Sequence, residues 1–129
     1  MPLVHPLPEG VTYNLVVVDK WAQDEVDRVF AALADATRRD IVTRVLVVEA
    51  SVSTLAQRYA MSFAAVQKHV AVLQRAGLVT KERRGREQIV RGDVTTIRAA
   101  GRLLEEYEEL WRGRLDRMSA LLAEPGDAP

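Results

Sequence analysis

The chain has 129 residues, 48% hydrophobic and 28% charged, the size and balance of one ordinary globular domain with a normal core. It holds no cysteine, which excludes a disulfide framework, a thiol nucleophile and a thiolate metal site, and no apolar run approaches the ~20 residues of a membrane span. The formal net charge of +0 is unevenly spread: residues 58–91 carry 8 Lys/Arg against 2 Asp/Glu, whereas 1–57 and 92–129 each carry 5 against 8. A basic block between acidic flanks is the electrostatic footprint of a phosphate-binding surface, or chance patterning on a solvated one.

Residues 1–10 are rich in proline and read as a loose tail. They lack the basic and apolar stretches of a signal peptide, so a cytoplasmic protein that crosses no membrane is expected. The β-branched "VTYNLVVVDK" at 11–20 reads as a strand or as an arm laid across an apolar surface. Residues 1–20 are thus a tail and arm, 21–123 the domain, and "EPGDAP" at 124–129 a disordered tail. "DEVDRVFAALA" places Val26, Val29, Phe30 and Leu33 at helical spacing. Asp35 reads as the N-cap of a second helix with Ile41, Val42, Val45 and Leu46 inward. "SVSTLAQRYA" predicts a short helix capped by Ser53 or Thr54, with Leu55 and Tyr59 on one face.

After the tight "MS" connection, Ser62 caps a helix whose buried stripe is Val66, Val70 and Leu73, and Gly77 ends it. "LVTKERRGREQIVRGD" predicts a hairpin turning at Arg84-Gly85. From about Thr95 to Ala123 one long helix follows, with Leu104, Tyr107, Trp111, Leu115, Met118 and Leu122 along one face. Leu103, Leu110 and Leu121 form a second apolar edge. The fold class is therefore mainly α with a small β-hairpin.

A short helix turning into a second helix with a polar face, then a basic hairpin, is the plan of a winged helix-turn-helix. Such a second helix enters the major groove of double-stranded DNA by its N-terminal residues. The candidates there are Ser62, Phe63, Ala64, Gln67, Lys68 and His69. Gln pairs bidentately with adenine, Lys reaches guanine or a phosphate, and Phe63 and Ala64 suit a thymine methyl. Arg75 on the same face and Arg83, Arg84 and Arg86 at the hairpin tip are candidates for the backbone or a narrow minor groove. Arg39 could reach a phosphate, lie on a solvated face or pair with Asp35.

"FAALADATRRDIV", "VSTLAQRYAMSFAAVQKHVAVLQRAGLV" and "KERRGREQIV" together resemble the ArsR family of winged helix-turn-helix repressors, over roughly Tyr13 to Leu122. The resemblance implies a homodimer that binds a two-fold symmetric operator and represses transcription, its own gene included. It also implies dimerisation through the first helix, with Val26 and Phe30, and the last, with Tyr107, Trp111, Leu115 and Met118. The last helix agrees with this, because it carries more apolar surface than a small domain can cover; ordinary intrachain core is the alternative.

Family members that sense metal carry a Cys-x-Cys type motif on the first helix of the pair, or Asp, His and Glu on the last helix. Here "STLAQRYA" has no thiol and the last helix has no histidine. His5 and His69 are the two histidines, too few for a zinc-type site, so no metal and no cofactor are expected. His69 reads instead as a phosphate contact or a structural hydrogen bond. A small-molecule effector near Tyr107 and Trp111 is the looser implication, with aromatic packing as the alternative. No Gly-rich phosphate loop or hydrolase triad occurs, so an enzyme is not expected. The competing reading is a winged-helix module that holds proteins without specific DNA binding.

Overall fold

The computed structural model describes the backbone of residues 21–127 and the side chains of residues 21–123. The expected tail and arm, His5 included, lie outside the described residues. Two compact units divide the described chain: Trp21–Ala100 forms one, and the segment from Gly101 belongs to the other.

In the first unit, α1 (Gln23–Leu33) and α2 (Ala36–Val47) lead into a two-residue strand, β1 (Ala50–Ser51). Then come α3 (Val52–Ala56), α4 (Phe63–Arg75), the strands β2 (Val79–Arg84) and β3 (Glu87–Gly92), and the start of α5 (Val94–Asp127). The helical spacing read from the sequence sorts correctly into this core: Val29, Ile41, Val42, Val45, Leu55, Val66, Val70 and Leu73 are all buried. Phe30 and Leu46 are exposed instead, and Val26 and Leu33 are half-buried; Leu46 packs on Gly92, where an added Cβ would lie 2.6 Å from its Cδ2. That contact lets the end of β3 run against α2.

Caps set the helix boundaries. Asp35 accepts a hydrogen bond from the Arg38 amide and starts α2, as expected. The cap of α3 is Ser51, not Ser53 or Thr54: its Oγ accepts from the Thr54 amide and donates to the Thr54 hydroxyl. Ser51 also sits in β1, so one residue ends a strand and begins a helix. Ser62 caps α4 by accepting from the Ala65 amide. At the other end of α4, Gly77 (φ 78°) donates to the Gln74 carbonyl and Leu78 to the Leu73 carbonyl, both at 3.0 Å. This pair of bonds is the Schellman closure, which needs the left-handed conformation that glycine adopts without strain.

The sheet is antiparallel in the order β1-β3-β2. Arg84 pairs with Glu87, so the two-residue loop is Gly85-Arg86, one position later than the sequence suggests. Gly85 alone has positive φ there (63°), the arrangement of a type II′ turn. β1 pairs through Ala50 with Val90 and through Ser51 with Ile89, and ties the hairpin back to the helices. α5 extends to Asp127, past the expected end at Ala123 and into the stretch read as a tail. Among the described residues, no helix is long and apolar enough to cross a membrane.

Candidate nucleic-acid interface

α4 is two-faced. Val66, Val70 and Leu73 are fully buried, and this fixes which residues turn outward. Phe63, Ala64, Gln67, Lys68 and Arg75 are exposed on the opposite side, the last four lying one, four, five and twelve residues after Phe63, offsets that share one helical surface. Phe63 stands at the first helical position with 47% of its surface open, an unusual place for an aromatic ring without a partner. Ser62 uses its hydroxyl as the cap acceptor, which leaves the hydroxyl proton able to donate outward.

His69 does not share that outward face. Its side chain is 20% exposed, and Nδ1 lies 3.2 Å from Nη1 of Arg38 and 4.0 Å from the Asp35 carboxylate. Four residues after Ala65, it points toward the junction of α1 and α2. Of its two sequence readings, the structural hydrogen bond is the one this geometry makes. Arg39 lies on the solvated face of α2, forms no ion pair with Asp35, and donates from Nη1 to the Leu33 carbonyl at 2.8 Å. Arg38 donates to the Ala32 carbonyl at 2.8 Å, so the paired arginines cap the C-terminal end of α1. The amide of Arg38 holds the Asp35 carboxyl below its ordinary value.

The hairpin tip presents Arg83 and Arg86 to solvent. Arg84 is engaged within the domain: it donates to Glu49 at 2.6 Å and to Glu82 at 3.2 Å. Arg91 reaches the same two carboxylates, at 2.8 and 3.5 Å. Hydrogen bonds from Arg84 and then Arg91 pull the Glu49 carboxyl down to about 2, from an ordinary 4.5. Arg83, whose Nε donates to the Gly85 carbonyl at 3.3 Å, and Arg86 pair with no carboxylate among the described residues, so the basic reach of the hairpin is these two and not the whole "RRGR" run. Sequence reading missed Glu49 because it lies 35 residues from Arg84 and 42 from Arg91. The alternation of Glu82 and Arg84 on one strand face was the one local hint.

Beneath this surface, the turn between α3 and α4 is pinned to α2. The Tyr59 hydroxyl donates to Asp40 at 2.6 Å, and Arg44 donates to the same oxygen at 2.8 Å. The tyrosine bond, then the arginine, lowers the Asp40 pKa, while burial raises that of Tyr59.

In the second unit, α5 exposes Tyr107, Trp111, Leu115 and Met118 along one face, each 43–58% open. Arg114 lies 5.4 Å over the Trp111 ring. In the first unit, α1 leaves Phe30 exposed and Val26 half-buried.

No family model matches the chain. The chain is 34% identical over 101 residues to the HTH-type transcriptional regulator Rv2034 of Mycobacterium tuberculosis, covering 78% of this chain and 92% of that protein. Among solved structures it resembles an ArsR-like transcriptional regulator from Rhodococcus sp. RHA1, with a TM-score of 0.67, 37% identity and coverage of 78% of this chain and 94% of that one. An ArsR family transcriptional regulator, RHA00566, gives a TM-score of 0.67 at 30% identity, covering 70% of this chain and 94% of that one.

Proposed function

The chain belongs to the ArsR family of winged helix-turn-helix transcriptional regulators, and from that premise we propose that it is a homodimeric cytoplasmic repressor acting on a two-fold symmetric DNA site, its own promoter included. The observation that carries this reading is the outward face of α4. Phe63, Ala64, Gln67 and Lys68 stand open at its N-terminal end, while the opposite face is locked into the core. That end of a recognition helix meets base edges in the major groove. Gln67 is the base-reading residue, Lys68 and Arg75 approach phosphate or guanine, and Arg83 and Arg86 follow the backbone as a wing.

Dimerisation is supported by the uncovered aromatic and aliphatic face of α5, too apolar for a solvated helix, and by the prevalence of two-fold dimers. A dimer would set two recognition helices about 34 Å apart, one turn of DNA.

The reading is tested by fluorescence anisotropy on duplex from upstream of the protein's own gene, against a scrambled duplex, across a salt series. Tight, salt-sensitive and selective binding is expected. Replacing Arg83 and Arg86 together with Glu should flatten the log–log salt slope by about 2 per protomer on both duplexes. An unchanged slope would remove the wing from the interface. Gln67→Ala should cost about 1–3 kcal/mol on the preferred duplex and little on the scrambled one. Equal losses on both would mean that Gln67 reads no base. Absence of binding to any duplex at low salt would favour the protein-interaction reading.

A further inference from the structure

We propose that Arg38 and His69 form a positioning clamp that sets the rotation of the recognition helix relative to α1; this rests on the reading of α4 as the DNA-contacting helix. Arg38 branches to three acceptors. Nε donates to the Ala32 carbonyl at 2.8 Å and Nη2 to the Ala31 carbonyl at 3.2 Å, both in the last turn of α1. Nη1 reaches His69 Nδ1 at 3.2 Å. A guanidinium has donors only, so in this bond Nδ1 serves as the acceptor.

The other inward groups of α4, Val66, Val70 and Leu73, are aliphatic. Aliphatic packing is non-directional and tolerates small rotations, whereas a charge-assisted hydrogen bond has a fixed direction. The Arg38 bond to His69 therefore supplies directional information that the rest of the buried face lacks. His69 immediately follows Gln67 and Lys68, so any rotation at His69 is carried to them through the rigid helix. The same guanidinium is anchored at the C-terminal end of α1, where the helix dipole favours a cation. Selectivity for DNA sequence thus depends on a side chain that touches no DNA. Because α1 also carries Val26 and Phe30, a displacement of that helix reaches the reading face through Arg38.

Removing Arg38 would uncap α1, so the informative variants are at His69. His69→Leu keeps volume and removes the acceptor. His69→Asn places an oxygen where Nδ1 lies. Two readouts are made on the full chain: amide hydrogen exchange, and affinity for a duplex selected by the wild-type protein from a randomised pool, relative to a scrambled duplex. His69→Leu should lower the selectivity ratio about tenfold, the size of a modest positional coupling, with scrambled-duplex affinity unchanged. Exchange should rise together over residues 31–33 and 63–75, and His69→Asn should restore both. Unchanged selectivity and exchange in His69→Leu would overturn the clamp. Equal losses in both variants would also overturn it, by assigning the effect to ring volume. If the wild-type protein selects no duplex, the regulator reading fails on its own. The exchange data then still decide whether His69 and α1 are joined.

Discussion

Leu73→Ala should cost about 2–5 kcal/mol of folding stability, the range for truncating a large aliphatic side chain in a packed core. Leu73 is fully buried, and its carbonyl accepts the Leu78 amide in the closure that ends α4. Leu78 is fully buried as well, and an apolar contact between these two positions commonly accompanies that closure. The loss is large beside the ~5–15 kcal/mol that a whole domain commands. Urea unfolding at fixed protein concentration checks it, since the midpoint of the proposed dimer would depend on concentration. A cost below about 1 kcal/mol would mean that the core collapses around the gap and that α4 is not held by this stripe. Val66 and Val70, on the same stripe, offer less volume to remove.

Glu49→Gln should act in the opposite direction on DNA, strengthening binding to the scrambled duplex about tenfold at low salt and steepening the salt slope by up to about 2 per protomer. Glu49 holds Arg84 and Arg91 by hydrogen bonds of 2.6 and 2.8 Å. A neutral amide cannot balance two guanidinium charges, and Glu82 alone remains to hold both, at 3.2 and 3.5 Å, so the arginines become more available to phosphate. Selectivity should fall as the nonspecific share of affinity rises. The network is substantially exposed, so its contribution to folding is small. Its pH dependence has a definite sign. The folded-state carboxyl titrates near 2 rather than its ordinary 4.5, so the pairing is intact above 4.5 and is lost as pH falls toward 2. Near neutral pH the restraint is constant. A scrambled-duplex slope unchanged by Glu49→Gln would mean that Glu82 alone keeps Arg84 and Arg91 from phosphate or that neither reaches it.

Much of the fold was legible because it is local. The stripe Val66, Val70, Leu73 follows from a period of 3.6, the Asp35 and Ser62 caps from side chains three residues from the amides they accept, and Gly77 from a backbone conformation other residues avoid. The outward set Phe63, Ala64, Gln67 and Lys68 came with the stripe, since burying one face exposes the other. What was missed depends on partners distant in sequence. β1 is two residues long and exists because Val90 and Ile89 lie beside it. Its formation also moves the α3 cap to Ser51, against the local preference for Ser53 or Thr54. Arg84 looked free because Glu49 is far away along the chain, and the sequence left His69 between a phosphate contact and a structural hydrogen bond because nothing local marks Arg38 as its partner.

The third strand has a thermodynamic corollary. A two-stranded ribbon is marginal alone in water and would gain order only on meeting its ligand. Here Ala50 and Ser51 already hold β3, so the hairpin arrives in its final shape. Calorimetry of DNA association should then show no heat-capacity signature of coupled folding from this segment, and the entropy lost on complex formation should fall on side-chain tips such as Arg83 and Arg86 rather than on backbone.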